Sequence, residues 1–484
     1  MGEPRYVIIH GHFYQPPRES PWTGLISPEH GAAPFQNWNE RILSECYTAN
    51  AHAHAMEGPV VHVRNNYETL NFDFGPTLAG WLQVHGKAAY RAMTRGDALS
   101  AERHGGRGNA IAQPYNHSIL PLLPARDREL QIAWGVEDFV LRFGRKPAGM
   151  WLPECAADDD TLASVAAAGI KFVILGPDQG KWRGPTADSR SAGPFTWKSG
   201  DLELAVFRYD RELSATASFG DGLADGARLA EWIAVTALGL EEGAVLMLAT
   251  DGETFGHHNK HGAAELARAL ILLERRDGVV LTNCADYLAT HPAAGSFEMT
   301  STTSWSCPHG VERWRSNCGC RFDPNTSQEW RGPLRAAMDF VKNHADTIYD
   351  RFAPALVTDH HAALRDGIRL LIDANPAIHD EFFRRYKVGD PGYRETLLRM
   401  FEMVRAGQAA LTSCAWFFDD FGGLEGRVAL RWAARAVELA AEHSASIENE
   451  LLERLRDIHS NRSENGDAAT LYLSLKTREA RGRV

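Results

Sequence analysis

Short, near-continuous apolar runs alternate with amphipathic stretches through the first 300 residues, and this alternation constrains the fold more than any other feature. The runs occupy residues 6–9, 60–63, 172–175, 204–207, 244–249 and 279–281. Each is rich in β-branched or aromatic residues and bounded by Gly, Pro or charge, so each reads as a buried strand. Helix-periodic segments lie between them, for example 159–168 and 263–275. Strands that are apolar on both faces need cover on both faces. The expectation is therefore an α/β fold on a parallel sheet, closed as a barrel or open and doubly wound.

The periodicity changes near residue 330. Leu397, Met400, Phe401 and Val404 share one helical face, as do Val428, Trp432, Ala436 and Leu439. Turn signals such as Asn375-Pro376 and Gly422-Gly423 separate the helices. The expected organisation is a catalytic α/β unit over 1–300, a helical bundle over 301–460 that completes the cleft, and a loose polar tail over 461–484. With 44% hydrophobic residues in 484, the chain can build both cores. A net charge of −11 argues against nucleic-acid or anionic-membrane partners. No apolar window approaches the roughly 18 residues of a membrane span, and no signal peptide is visible. Seven cysteines are too sparse for a disulfide framework, so a reducing, cytoplasmic setting is expected.

Costly polar groups collect where the inferred strands end, which is where sites on parallel sheets sit. The first strand runs into His10, His12 and Gln15, which either line a polar pocket or cap a turn. Glu154 follows the apolar, aromatic run 149–153; a lone Glu in such a place is more often structural. Asp251-Gly252-Glu253, with His257 and His258 beyond, closes the 244–249 strand and raises the standing of Glu154. Two carboxylates on separate strand ends suit glycosidic cleavage: one protonates the leaving oxygen, the other attacks the anomeric carbon or activates water. Retention of configuration needs them roughly 5–5.5 Å apart, inversion roughly 6.5–9.5 Å.

Trp151, Asp210, His257, Trp305 and Trp314 are further candidate substrate contacts. Asp210, between Arg208 and Arg211, either flanks the acid or belongs to a structural ion-pair network. At least one of Trp305 and Trp314 is expected to stack on a sugar ring; the alternative is packing. Cys307, His309, Cys318 and Cys320 are ligand types for tetrahedral zinc, but a C-x-C pair crowds two ligands on one turn. Buried thiols beside a hydrogen-bonded histidine are the preferred reading there, and no metal or cofactor is expected.

Taken in order, the segments 12–16, 71–78, 113–122, 151–156 and 251–256 resemble glycoside hydrolase family 57, a family active on α-glucans. The resemblance implies a (β/α)7 barrel, a distorted TIM type, followed by a helical domain. It implies a retaining double displacement on an oligo- or polysaccharide, with Glu154 as nucleophile and Asp251 as general acid/base. It also implies that His12 and His117 hydrogen-bond the sugar at the cut, without a catalytic metal. Tyr14 stands where the family has a second histidine. The segments 305–320 and 414–419 resemble a branch with a DUF3536-type helical region. Hydrolysis and glucan transfer draw on the same residues. Two competing readings are a metal-dependent polysaccharide deacetylase using Asp251, His257 and His258 or His261, and a non-catalytic carbohydrate binder.

Overall fold

In a computed structural model, which describes residues 2–481, the parallel strands close into a ring. Seven strands form it among the described residues: β1 (Arg5–Phe13), β2 (Asn71–Phe74), β3 (Ala110–Ile111), β4 (Gly149–Met150), β5 (Phe172–Leu175), β6 (Leu202–Arg208) and β7 (Val245–Asp251). β1 pairs in parallel with β7 on one side and β2 on the other, and β2 with β3. A parallel bridge between Ala112 and Met150 carries the ring to β4, which pairs with β5, and β5 with β6.

The ring is irregular at its last junction. Ala192 is wedged between β6 and β7: its N–H donates to Val245 (2.7 Å) and its carbonyl accepts from Arg208 (2.9 Å). The Arg208 guanidinium holds the wedge by donating to the carbonyls of Ala187, Ser189 and Ser191 at 2.9, 2.8 and 3.0 Å. A buried cation surrounded by carbonyl oxygens satisfies backbone acceptors that regular strand pairing would otherwise have met. The result is a distorted (β/α)7 barrel.

Two expectations about strands are corrected. The 60–63 run is not a barrel strand; it lies in an antiparallel hairpin of Ala53–Glu57 and Val60–Arg64, with Val60, Val61 and Val63 at 50%, 50% and 62% exposure. The hairpin's other strand buries Ala53 and Ala55, against Ala267, and leaves His54 and Met56 exposed. The strand beside β1 is instead Asn71–Phe74, which is buried throughout. Its polar residues hid it from a search for apolar runs. The 279–281 run pairs with the start of β1, next to the ring rather than within it.

Contacts divide the chain into two units. The first holds the barrel and comprises the chain up to Gln15, Pro28–Pro114 and Phe139–Trp305. The second comprises Pro16–Ser27, Tyr115–Asp138 and the chain from Ser306 on, so two early segments group with the helices rather than with the barrel. In the second unit the helices Arg331–Phe352, Pro391–Ala409 and Leu424–Ala440 pack together. Leu397, Met400, Phe401 and Val404 are buried there with Trp134, Tyr349 and Phe382, which is the face the periodicity predicts. The stretch expected to be a loose tail contains the helix Ala468–Arg481, which buries Leu471, Tyr472 and Leu475.

Gly149 shows how tightly β4 and β5 approach. A Cβ on it would lie 2.3 Å from the Phe172 ring. Gly149→Ala is expected to cost about 1–3 kcal/mol through overpacking. The check is equilibrium urea unfolding: a lower midpoint at unchanged m-value is predicted, and an unchanged midpoint would refute the packing account.

Candidate active site

Strand register brings three titratable residues into one row. His12 on β1 is the partner of Asp251 on β7 and of Asp73 on β2. Asp73 is fully buried and is met from two sides, by His10 Nε2 at 3.1 Å and His12 Nδ1 at 2.7 Å. Asn71 donates its amide to His10 Nδ1 (2.7 Å), so the neutral His10 ring gives its Nε2 proton to Asp73. Burial lowers the pKa of His10 despite Asp73. For His12 burial also opposes the charge, but Asp73, with Asp251 and Glu253, outweighs it and holds the imidazole up at about 9.

Asp251 ends β7 with part of its surface open to solvent, yet protein atoms crowd it on the other sides. That desolvation raises its carboxyl, while His12 and His258 pull it back down. A carboxylic acid poised above its ordinary range suits a proton donor. Glu253, two residues on, is 7% exposed and accepts from the Tyr47 hydroxyl at 2.6 Å and the Tyr14 N–H at 3.3 Å. Burial pushes Glu253 up to about 7, and the Asp251 charge adds to it.

Glu154 sits in a short turn, Pro153–Cys155, after β4. Both Glu154 (φ 59°) and Cys155 (φ 47°) adopt the left-handed conformation, which costs a non-glycine residue about 1–3 kcal/mol. The turn is held from two sides. Gln179 donates its amide to the Cys155 carbonyl at 2.5 Å, and Ala157 pairs with Thr303. That pairing brings Trp305 alongside: its backbone N–H donates to the Glu154 carbonyl (2.9 Å) and its indole N–H to the Glu154 carboxylate (3.0 Å). Glu154, Asp73 and Asp251 all push up the thiol of buried Cys155, which burial already holds well above its usual value. The two candidate carboxylates therefore act on one common neighbour.

The remaining candidates divide. Trp305 packs edge-on against Trp151 at 5.1 Å and His12 at 6.4 Å, within the site. Trp151 is fully buried, stacked on His10 (4.8 Å) and His12 (5.0 Å), so it forms the floor under them rather than a surface for a sugar. Asp210 is absorbed by structure. It caps the helix Arg211–Phe219, accepting from the Leu213 N–H, and takes a bidentate pair from Arg190 at 2.5 and 2.6 Å. His257 pairs through Nδ1 with Glu45 at 2.5 Å and meets the Trp38 ring edge-on. His117 and Trp314 belong to the second unit. There His117, at φ 54°, pairs with the Ser413 hydroxyl at 2.6 Å. Trp314 is fully buried and donates to the Ser413 carbonyl at 3.2 Å, which is the packing alternative for this residue. Asp251, His257 and His258 are not among the sets of converging metal-ligand atoms in the described residues, so the ligand set of a deacetylase is not assembled. Asp73, Tyr47 and Glu253 escaped the list of site residues. Asp73 and Glu253 lie inside the segments 71–78 and 251–256 that carry the family resemblance, and that membership was the available signal; Tyr47 lies in no such segment.

Residues 103–299 match glycosyl hydrolase family 57, and residues 327–480 match a domain of unknown function, DUF3536. A probable 1,4-alpha-glucan branching enzyme of Mycobacterium tuberculosis is 36% identical over 84 residues, which is 17% of this chain. The match spans only 15% of the length of that curated relative. The exo-type maltose-forming amylase of Pyrococcus sp. ST04 is similar in structure, with TM-score 0.69 and 16% identity, covering 98% of this chain and 83% of that one. The branching enzyme of Pyrococcus horikoshii gives TM-score 0.57 and 17% identity, covering 98% and 94%. At these identities the likeness is one of fold, in agreement with the distorted barrel and the helical region.

Removing the Asp73 charge tests the electrostatics of the barrel. Because the pKa of His12 is raised from 6.5 to about 9, its charged pair with Asp73 contributes stability fully below pH 6.5 and loses it as pH rises through about 9. In Asp73→Asn, burial is left unopposed by that charge and His12 should titrate far lower. Histidine-selective NMR titration checks this: one imidazole protonated to about pH 9 in the parent and absent in the variant is expected. An unchanged profile would contradict the assignment.

Proposed function

We propose that this chain cleaves α-glucans by a retaining double displacement and passes the glycosyl unit to water or to a sugar hydroxyl. Two observations carry the proposal: the Trp305 indole holds the Glu154 carboxylate in place, and crowding raises the carboxyl of Asp251. A raised carboxyl suits the acid, and a carboxylate held in place suits the nucleophile. Asp251 protonates the glycosidic oxygen while Glu154 attacks the anomeric carbon, so that a glycosyl ester forms and the leaving sugar departs with the proton. Asp251, now a carboxylate, takes a proton from water or an acceptor hydroxyl, and that oxygen displaces Glu154.

His12 supports this role as a buried cation beside Asp251, which limits how far that carboxyl rises. Trp305, half-buried against Trp151, offers the aromatic surface nearest Glu154 for a sugar ring. An α-glucan fits the relatives, which are described as amylases and branching enzymes. A cytoplasmic setting fits seven cysteines that are all free thiols. Among the described residues no helix is long and apolar enough to cross a membrane.

The test is incubation with maltoheptaose. Shorter products alone mean hydrolysis; products longer than the donor mean transfer. Asp251→Asn is expected to lower kcat by about 10²–10⁴-fold, and Glu154→Gln to abolish turnover with folding intact by circular dichroism. Full activity in either variant, or an intact donor after long incubation with the parent protein, would overturn the proposal.

A further inference from the structure

Cys307, His309, Cys318 and Cys320 lie in the second unit, on one loop ahead of the helix Arg331–Phe352. Sequence spacing weighs against a metal here, because a C-x-C pair puts two ligands on one turn. The backbone removes that objection. Gly319, between Cys318 and Cys320, has φ 85°, a left-handed conformation that turns the chain sharply between the two thiols. Gly310 (φ 82°) closes a second turn after His309, with its N–H donating to the Cys307 carbonyl at 3.1 Å.

The four ligand atoms all lie within 4.8 Å of one another. Cys307 Sγ is 3.9 Å from Cys318 Sγ and 3.7 Å from Cys320 Sγ. His309 Nδ1 is 3.9 Å from Cys307 Sγ and 3.6 Å from Cys320 Sγ. With Zn–S near 2.3 Å and Zn–N near 2.0–2.1 Å, a tetrahedron has S···S edges of about 3.8 Å and S···N edges of about 3.5 Å. These four separations lie within about 0.4 Å of those edges. They are far longer than the roughly 2.0 Å of a disulfide.

Burial of thiols does not explain the gathering. Only Cys307 is buried; Cys318 and Cys320 are half-buried and His309 is exposed. Residues 315–327 contain no helix or strand and are largely exposed, so apolar packing gives this stretch little support. Its fixed points are polar. Arg331 donates to the Cys320 carbonyl at 2.8 Å, and Asp419 accepts from the N–H groups of Phe322 (2.9 Å) and Asp323 (2.7 Å).

We propose that Cys307, His309, Cys318 and Cys320 bind one structural Zn²⁺ that ties the 307–320 loop to the helical unit. Soft thiolates with one imidazole in tetrahedral array select zinc, and four protein ligands leave no open position for chemistry. Binding releases the thiol protons to solvent, and because the ion binds the folded loop its affinity adds to stability.

The full chain, purified without chelator and equilibrated with Zn²⁺, is expected to carry one zinc by elemental analysis. Exchange with Co²⁺ should give thiolate-to-cobalt charge-transfer bands and the intense d–d absorption of a tetrahedral site. Cys318→Ser and Cys320→Ser should each reduce bound zinc to trace levels, while Cys414→Ser, a cysteine outside the cluster, keeps it. A chelator should lower the thermal midpoint of the parent chain and leave the two cluster variants unmoved. Trace zinc and no cobalt charge-transfer band in the reconstituted parent would overturn the proposal, as would full zinc in both cluster variants. Should those variants fail to fold, the cobalt spectrum of the parent chain decides alone.

Discussion

Asp73 has no exposed surface, so its charge must be met by protein alone, and two histidines from the adjacent strand do so. Charge-assisted hydrogen bonds are among the strongest a protein makes, while a buried carboxylate stripped of a partner costs about 3–5 kcal/mol. Much of the site follows from this contact. It aligns β1 with β2, sets one histidine neutral and the other charged, and fixes both rings for stacking on Trp151. The charged ring then stands beside Asp251, and Trp151 supports Trp305, whose indole reaches Glu154.

The barrel tolerates irregularity where function or closure calls for it. Glu154 and Cys155 are held left-handed in succession by hydrogen bonds from Gln179 and by pairing with the 303–305 segment. Strain of that kind persists only where its surroundings over-determine it, and it collects at functional positions. The Ala192 wedge is a second departure, and the polar residues around it, Arg208, Arg190 and Asp210, are engaged in holding it. Asp210 is thereby a structural carboxylate, which explains why it resembled a site residue.

The order of strands and helices was legible because burial on two faces writes long apolar runs, as in β5 and β7. The helices at 159–168 and 263–275 emerged within a residue of expectation, as Asp159–Ala167 and Gly262–Glu274. The 60–63 run misled because three valines in an exposed hairpin have the composition of a core strand. β2 escaped because Asn71 and Asp73 are buried by virtue of partners 61 residues away, a relation no local pattern records. Trp151 and Trp314 could be marked as aromatic but not as buried, and their indoles serve as floor and core. The cysteine cluster reads differently in three dimensions because Gly319 turns the chain where spacing alone suggests crowding.

In the proposed displacement Glu154, fixed by Trp305, is the nucleophile and Asp251, raised by crowding, is the acid; a covalent intermediate on Glu154 is its most direct consequence. A slow 5-fluoro-glucosyl donor should arrest the enzyme after the first displacement, and peptide mass spectrometry of the arrested protein locates the ester. One glucosyl adduct is expected, on the peptide containing Glu154, and none in Glu154→Gln. An adduct on Asp251 or Glu253, or release of sugar with inverted configuration and no adduct, would contradict it.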